Sequence, residues 1–375
     1  MNGKEVKFLY LSEPDMIKAG VLDMKKCIMA VEESFVLLSK GDYLMGGPSE
    51  NDHGHLIWFP KKRRFPGMPI AGPDRRFMAM IAYLGGRFNV CGEKWYGSNI
   101  ENTKVGLPRS IHTVILNDAE TSEPLVIMSG NLLSQMRTGA VPGVISKNIA
   151  KKDAKTVGLI GCGIINRTSL MGIVEASKTI EKVKVYDIFE NNAKAFANQM
   201  SESLNLKVEV VSSIKKVIEG SDIVNIAASG EKLPEVNTNW LQPGGVLILI
   251  GAANFVDIDW YKKCTMVADN WKLHKVWIDE IDTRENGFEE ILSWAPSAPF
   301  LKCKYEGLLN DDDVIDLGDI VSRKANINTS GKKKIIVATG GMVVEDMAFA
   351  YDIYKQAIER GIGQELLLWN KHYWM

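Results

Sequence analysis

The chain has 375 residues, 46% hydrophobic and 24% charged, enough for two lobes with separate cores. Its formal net charge of -1 provides no field for nucleic acid or a membrane surface, and neither is expected as a partner. Cys27, Cys91, Cys162, Cys264 and Cys303 are scattered with no C-x-x-C pair, which excludes a disulfide framework or zinc site and points to the cytoplasm.

Lys4, Glu5 and Lys7 interrupt the early apolar run, so no signal peptide is expected, and no apolar stretch is long enough to span a bilayer. The basic runs at 61–64 and 332–334 read as solvated loops. The first predicted element is a helix capped by Asp23, with Cys27, Val31, Phe35 and Leu38 at helical spacing and Gly41 closing it. Residues 42–76 read as irregular. Strands are predicted in "FMAMIAYL" (77–84), "VCGEKWYG" (90–97) and "SIHTVIL" (110–116). "NDAETSE" is turn chemistry, and "PLVIMSG" (124–130) returns as a further strand. This first lobe is α+β with an antiparallel sheet.

Near residue 155 the pattern changes to strand–helix alternation. The apolar runs are "TVGLIG", "KVKVYD", "KVEVVSS", "DIVNIAA", "GVLILIG" and, later, "KKIIVAT". Nearly continuous apolar strands alternating with helices predict an α/β fold, a Rossmann-type doubly wound parallel sheet covered on both faces. The last predicted element is an amphipathic helix over 343–361.

In "TVGLIGCGIINRTSL" (156–170), Gly161 and Gly163 follow the first such strand and open a helix. That is the placement of a dinucleotide fingerprint: a tight turn, close backbone approach to a pyrophosphate, and the amides of Ile164 and Ile165 facing the anion. Asn166 replaces the third glycine and is expected to push the helix slightly outward. Asp187 ends the next strand where an acid binds a ribose 2′-hydroxyl, and no arginine follows it, which favours NAD over NADP. Ala228, at the end of "DIVNIAA", and Gly341, after the last strand, are expected beside the same cofactor.

Four ordered blocks, "GEKWYGSN" (92–99), "LNDAETSEPLVIMSGNLLSQMRTGA" (116–140), "VGLIGCG" (157–163) and "GGMVVEDMAFAYDIYKQAIERGIG" (340–363), resemble the ornithine cyclodeaminase/mu-crystallin family from about residue 77 onward. The similarity leans toward branches of the N-(2-amino-2-carboxyethyl)-glutamate dehydrogenase type and toward a group named for tyramine oxidase. The resemblance implies a homodimer. Residues 1–140 plus 340–375 would form the substrate-binding and dimerisation lobe, and 141–339 the Rossmann domain. It also implies an amino-acid or imino-acid substrate, with hydride passing between its C2 and a nicotinamide.

By that resemblance Arg137 matches the carboxylate-binding arginine, and Lys94 a lysine near the substrate carboxylate and reacting nitrogen. Read without it, Arg137 would be a surface ion pair and Lys94 a solvated strand-edge residue. Asp346 matches a family acid, and Asp269-Asn270-Trp271 an acidic block that is as readily structural as substrate-facing. Two departures stand out. The family's arginine before the first strands is absent from "GGPSENDHGHL" (46–56), so Arg75 or Arg76 is expected to supply that cation. There His53 is read as a substrate contact, or as plain loop polarity, rather than, with His55, a metal pair. Ser229 occupies the place of the cyclodeaminase aspartate, and a hydroxyl is no carboxylate base. Glu231 could replace it only in a rearranged loop. The expected activity is therefore NAD-linked oxidation of an amine or reduction of an imine at an α-carbon. Ornithine cyclodeamination with ammonia loss and NADH binding of the mu-crystallin type are the alternatives.

Overall fold

The computed structural model describes residues 4–230, 232–279, 281, 287–327 and 333–374. It divides into two compact units, one of Met1–Ala30, Gly41–Arg137 and Met342–Met375, the other of Val31–Lys40 and Thr138–Gly341.

The first unit is built on one sheet. Its strands run in the order Gln364–Trp369, Val6–Leu11, Pro124–Ser129, Ser110–Asp118, Val90–Ser98, Arg76–Leu84 and Tyr43–Met45, and His55–Trp58 also pairs with Arg76–Leu84. Val6–Leu11 lies parallel to Pro124–Ser129, and every other pairing is antiparallel. The stretch 42–76, expected to be irregular, thus supplies two short strands. Val6–Leu11 was hidden by Lys7. The aromatic, apolar tail enters the sheet beside it as Gln364–Trp369.

Alternation decides the two faces of this sheet. In Arg76–Leu84, Met78, Met80, Ala82 and Leu84 are buried, while Phe77 and Ile81 on the opposite face stay 38% and 45% exposed. The helix Val343–Arg360 packs against the strands of residues 76–118, and Gly361, at φ 62°, ends it in the left-handed conformation.

The second unit holds an eight-stranded sheet in the order Lys207–Val210, Lys182–Tyr186, Thr156–Ile160, Ile223–Ile226, Val246–Leu249, Lys334–Ala338, Cys264–Ala268 and Val314–Asp316. Every pairing is parallel. Ile223–Ile226 and Val246–Leu249 are buried throughout, as strands covered on both faces must be. The chain order reverses between Thr156–Ile160 and Ile223–Ile226, the switch point at which doubly wound sheets bind ligands. The helices Asn131–Ile149 and Ile164–Ala176 cross at two glycines: a Cβ on Gly172 would lie 2.2 Å from the Gly139 carbonyl oxygen. Val31–Lys40 belongs to this unit, where Ser39 donates to Asp319 and Gly318 sits against the Phe35 backbone. Among the described residues no helix is long and apolar enough to cross a membrane.

Candidate active site

The fingerprint loop leaves the strand Thr156–Ile160 at the switch point. Gly161 has φ 90°, and a Cβ there would lie 2.6 Å from the Ala227 carbonyl oxygen, so no other residue fits. Gly163 caps the helix Ile164–Ala176, and a Cβ on it would meet nothing within 4 Å. Space is therefore open over the first-turn amides of Ile164 and Ile165, which lack intrahelical acceptors. A pyrophosphate fits this cradle.

Asn166 is accommodated inside the turn. It is fully buried, and its Nδ2 donates to the carbonyls of Ile160 and Gly161 at 2.9 and 2.6 Å. Its Oδ1 accepts from Asn225 Nδ2 at 2.7 Å. Where a glycine would allow close packing, this asparagine fastens the turn to its own strand and to the neighbouring one.

Asp187, half-buried at the end of Lys182–Tyr186, accepts from the amides of Cys162 at 2.8 Å and Phe189 at 2.9 Å. It braces the glycine loop from the side where an acid would meet a ribose. Ala228 and Ser229 follow Ile223–Ile226, with Ser229 exposed, and Glu231 lies outside the described residues. Gly341, at φ 73°, and Gly340 donate to Asp269 Oδ2 at 3.0 and 2.7 Å. Asp269 Oδ1 lies 2.7 Å from His274 Nε2 and also accepts from the Asn270 amide. Burial opposes the Asp269 charge, but His274 and the amides hold its carboxyl below the ordinary range. Of its two readings the structure supports the structural one: Asp269 is spent on shaping the glycine turn.

In the first unit, register places three tiers of side chains on one face of the sheet: Met80, Lys94 and Val114; Met78, Tyr96 and His112; Arg76, Ser98 and Ser110. All of these but Met78 and Val114 line a recess of about 230 Å³, which His53, Arg109, Ser134 and Arg137 complete. That volume suits a metabolite smaller than a drug-sized ligand. Asn131 ties the helix Asn131–Ile149 to this face by accepting from the His112 amide at 2.7 Å and donating to the Ser110 carbonyl at 2.9 Å. Gly130 allows the approach, since a Cβ there would lie 2.9 Å from that of His112. Arg137 follows less than two turns along the helix.

Arg137 is neither exposed nor a surface pair. Its Nη1 donates to Glu345 Oε2 at 2.7 Å and its Nε to Asp346 Oδ1 at 3.0 Å. The other Asp346 oxygen takes Lys94 Nζ at 2.7 Å. All four charges are buried, and Lys94 sits in a strand paired on both sides rather than at an edge. Burial and then the Arg137 charge push the Lys94 ammonium down to about 8, against the pull of Asp346. Burial disfavours the Arg137 charge too, but Asp346 and Glu345 outweigh it and hold the guanidinium above its ordinary range. His112 is brought down to about 4 by burial and the nearby Lys94 charge, so it is neutral at neutral pH.

Arg76 lies in the recess, its guanidinium 5.4 Å from the Trp58 ring centre and 5.9 Å from that of Tyr96. Arg75 instead donates to the Ile70 carbonyl. His53 lines the recess, whereas His55 begins the exposed strand His55–Trp58, and among the described residues no group of three metal-binding side chains converges. Sequence reasoning missed His112, Glu345 and Arg109. His112 was legible only as an alternate residue of a half-buried strand, and Glu345 only as the neighbour of Asp346.

Fold and site define a protein with one dinucleotide-binding unit and one unit carrying a cation-lined recess. The ornithine cyclodeaminase/mu-crystallin family model matches residues 21–361, and the chain belongs to that family. The match begins well before residue 77. Over 372 residues the chain is 27% identical to N-((2S)-2-amino-2-carboxyethyl)-L-glutamate dehydrogenase of Staphylococcus aureus, covering 97% of this chain and 99% of that one. It is 25% identical over 352 residues to alanine dehydrogenase of Archaeoglobus fulgidus, covering 92% and 95%. A solved structure, Delta(1)-pyrroline-2-carboxylate reductase of Thermococcus litoralis in complex with NADH and L-proline, superposes with TM-score 0.76 at 28% identity, covering 96% of this chain and all of that one.

Proposed function

We propose that the protein is an NAD(H)-dependent oxidoreductase acting at the α-carbon C–N bond of a small amino acid or its imine. The observation that carries this reading is the Lys94 ammonium, buried in a cation-lined recess and brought to about 8, where it can give or take a proton near neutral pH. The relatives named above act on amino acids or cyclic imino acids, and the T. litoralis enzyme binds NADH.

Gly161, Gly163, Ile164 and Ile165 would hold the pyrophosphate, Asp187 the adenosine ribose, and Ala228 and Gly341 the nicotinamide end. A nicotinamide cofactor held there would supply the hydride for imine reduction, or accept one in amine oxidation. Arg137 spends Nε and Nη1 on the two acids, which leaves Nη2 for the substrate carboxylate. Lys94 binds the same carboxylate from the sheet and gives its proton to the imine nitrogen as that atom gains its lone pair. Asp346 holds Lys94 Nζ in place for both transfers. Ser229, an exposed hydroxyl where a cyclodeaminase has an acid, supplies no base for ammonia release.

The assembly that fits is a homodimer. Phe77, Trp95, Ile81 and Ile111 are 38–48% exposed on the outer face of the first unit's sheet, a contiguous apolar surface that a second copy would cover. Five free cysteines fit the cytoplasm.

The test is loss of NADH absorbance over a panel of cyclic imines and 2-oxo acid–amine pairs. Turnover with one class supports the reading. NADH binding without turnover anywhere would make the protein a binding module, and ammonia release from ornithine with no net NADH change would make it a cyclodeaminase.

A further inference from the structure

The recess holds more positive charge than one substrate carboxylate needs. At its inner end, Lys94 and Arg137 are balanced by Glu345 and Asp346. At its outer end, Arg109 Nε donates to the buried Asp74, which also accepts from Ser98 Oγ at 2.9 Å and from the Ile100 amide at 2.7 Å. Asp74 is thereby fully used, and Arg109 is neutralised.

Arg76 is not. Its polar contact is a long one, 3.4 Å to the Asp74 carbonyl, and among the described residues no carboxylate lies within ion-pair distance of it. Its guanidinium instead lies near two aromatic rings, Trp58 and Tyr96, which attract its charge without taking its hydrogen bonds. A half-buried guanidinium so placed is an anion receptor. It stands beside Ser98 and Ser110, whose hydroxyls are linked at 3.1 Å.

Register gives the spacing. Arg76 precedes Met80, the partner of Lys94, by four residues, so the two tiers lie about 13 Å apart along the strands. The Arg76 and Lys94 side chains both line the one recess.

We propose that the substrate carries a second anionic group. Its α-carboxylate is taken at Lys94 and Arg137, and a side-chain or N-linked carboxylate at Arg76, which makes the substrate class a dicarboxylic amino acid or its imine. The proposal rests on the oxidoreductase reading for the inner end alone. Arg76 is here a specificity-determining residue, remote from the reacting atoms.

The test is equilibrium binding with NADH present, comparing L-aspartate, L-glutamate and an N-carboxyalkyl amino acid with L-alanine and L-proline, on the natural protein and Arg76→Gln. The expected result is tighter binding of at least one diacid than of both monoacids by roughly 10–100-fold, the range of one charge-assisted contact, with that preference lost in Arg76→Gln because diacid binding falls far more than monoacid binding. Equal or weaker binding of every diacid by the natural protein overturns the proposal, as does an Arg76→Gln variant that weakens both classes alike. NADH oxidation is read separately. Diacid preference without turnover of any matching imine would keep this proposal and sink the oxidoreductase reading, and turnover confined to monoacid imines would do the reverse.

Discussion

Lys94 Nζ lies 2.7 Å from Asp346 Oδ2, joining the middle of a sheet to the first turn of the helix packed on it, with both side chains almost wholly buried. Asp346 also holds Arg137, so one carboxylate fixes both cations proposed for the substrate. Its place in the first turn adds the helix dipole to its reasons for staying ionised.

The pH dependence follows from Lys94. In imine reduction the protonated ammonium is the active form, so kcat/KM is expected to be flat below about 8 and to fall as pH rises through it. Amine oxidation needs the neutral amine and should rise through the same range. Asp346 stabilises the charge, so Asp346→Asn should move the descending limb to lower pH. Initial rates in both directions across pH check this, and a limb unmoved in Asp346→Asn would assign it to another group.

Arg137→Ala leaves Glu345 and Asp346 buried without their main counter-charge. Breaking such a pair from one side costs about 3–5 kcal/mol, so the urea midpoint should drop markedly and kcat/KM should fall by roughly two decades or more. Arg137→Lys keeps the charge but not the fork, and should recover part of the stability and little of the rate. Equilibrium unfolding beside kinetics separates the two roles. A stable, inactive Arg137→Ala would mean that the acids do not depend on it.

The architecture was legible because its signals are periodic. Strand–helix alternation after residue 155 gave the parallel sheet, and Gly161 and Gly163 its loop. What escaped depended on pairing at a distance. Val6–Leu11 carries Lys7 and gains its place from partners more than a hundred residues away. The same holds in the recess. Lys94 and Arg137 stood out as residue types, but nothing local shows that both converge on Asp346, or that Arg109 is cancelled by Asp74 while Arg76 is not. Asn166 shows the opposite failure. A fixed motif made it read only as a missing glycine, while its three hydrogen bonds tie the turn to the end of its own strand and to Asn225 of the neighbouring one.

Asn166→Ala should therefore be costly although it shortens the side chain toward glycine. It removes those three bonds and leaves Asn225 Nδ2 buried without its acceptor, a loss of about 1–3 kcal/mol. The loop it fastens carries the pyrophosphate amides, so NADH affinity should weaken along with thermal stability. Fluorescence titration with NADH and a thermal melt on the same sample test this. Unaltered stability would mean that water replaces the side chain at no cost.

Asp187 discriminates between two roles. As found, it braces the Cys162 and Phe189 amides, and a brace alone would serve either cofactor equally. If it also meets the ribose 2′-hydroxyl, its charge repels the 2′-phosphate of NADPH. Asp187→Asn keeps an acceptor for the loop while removing the charge. It should raise the Kd for NADH by roughly tenfold and leave that for NADPH unchanged or lower, since a charged hydrogen bond is lost in one case and a repulsion relieved in the other. Titration with both cofactors at one ionic strength decides it. Equal weakening would leave Asp187 as a brace and remove the basis for preferring NAD.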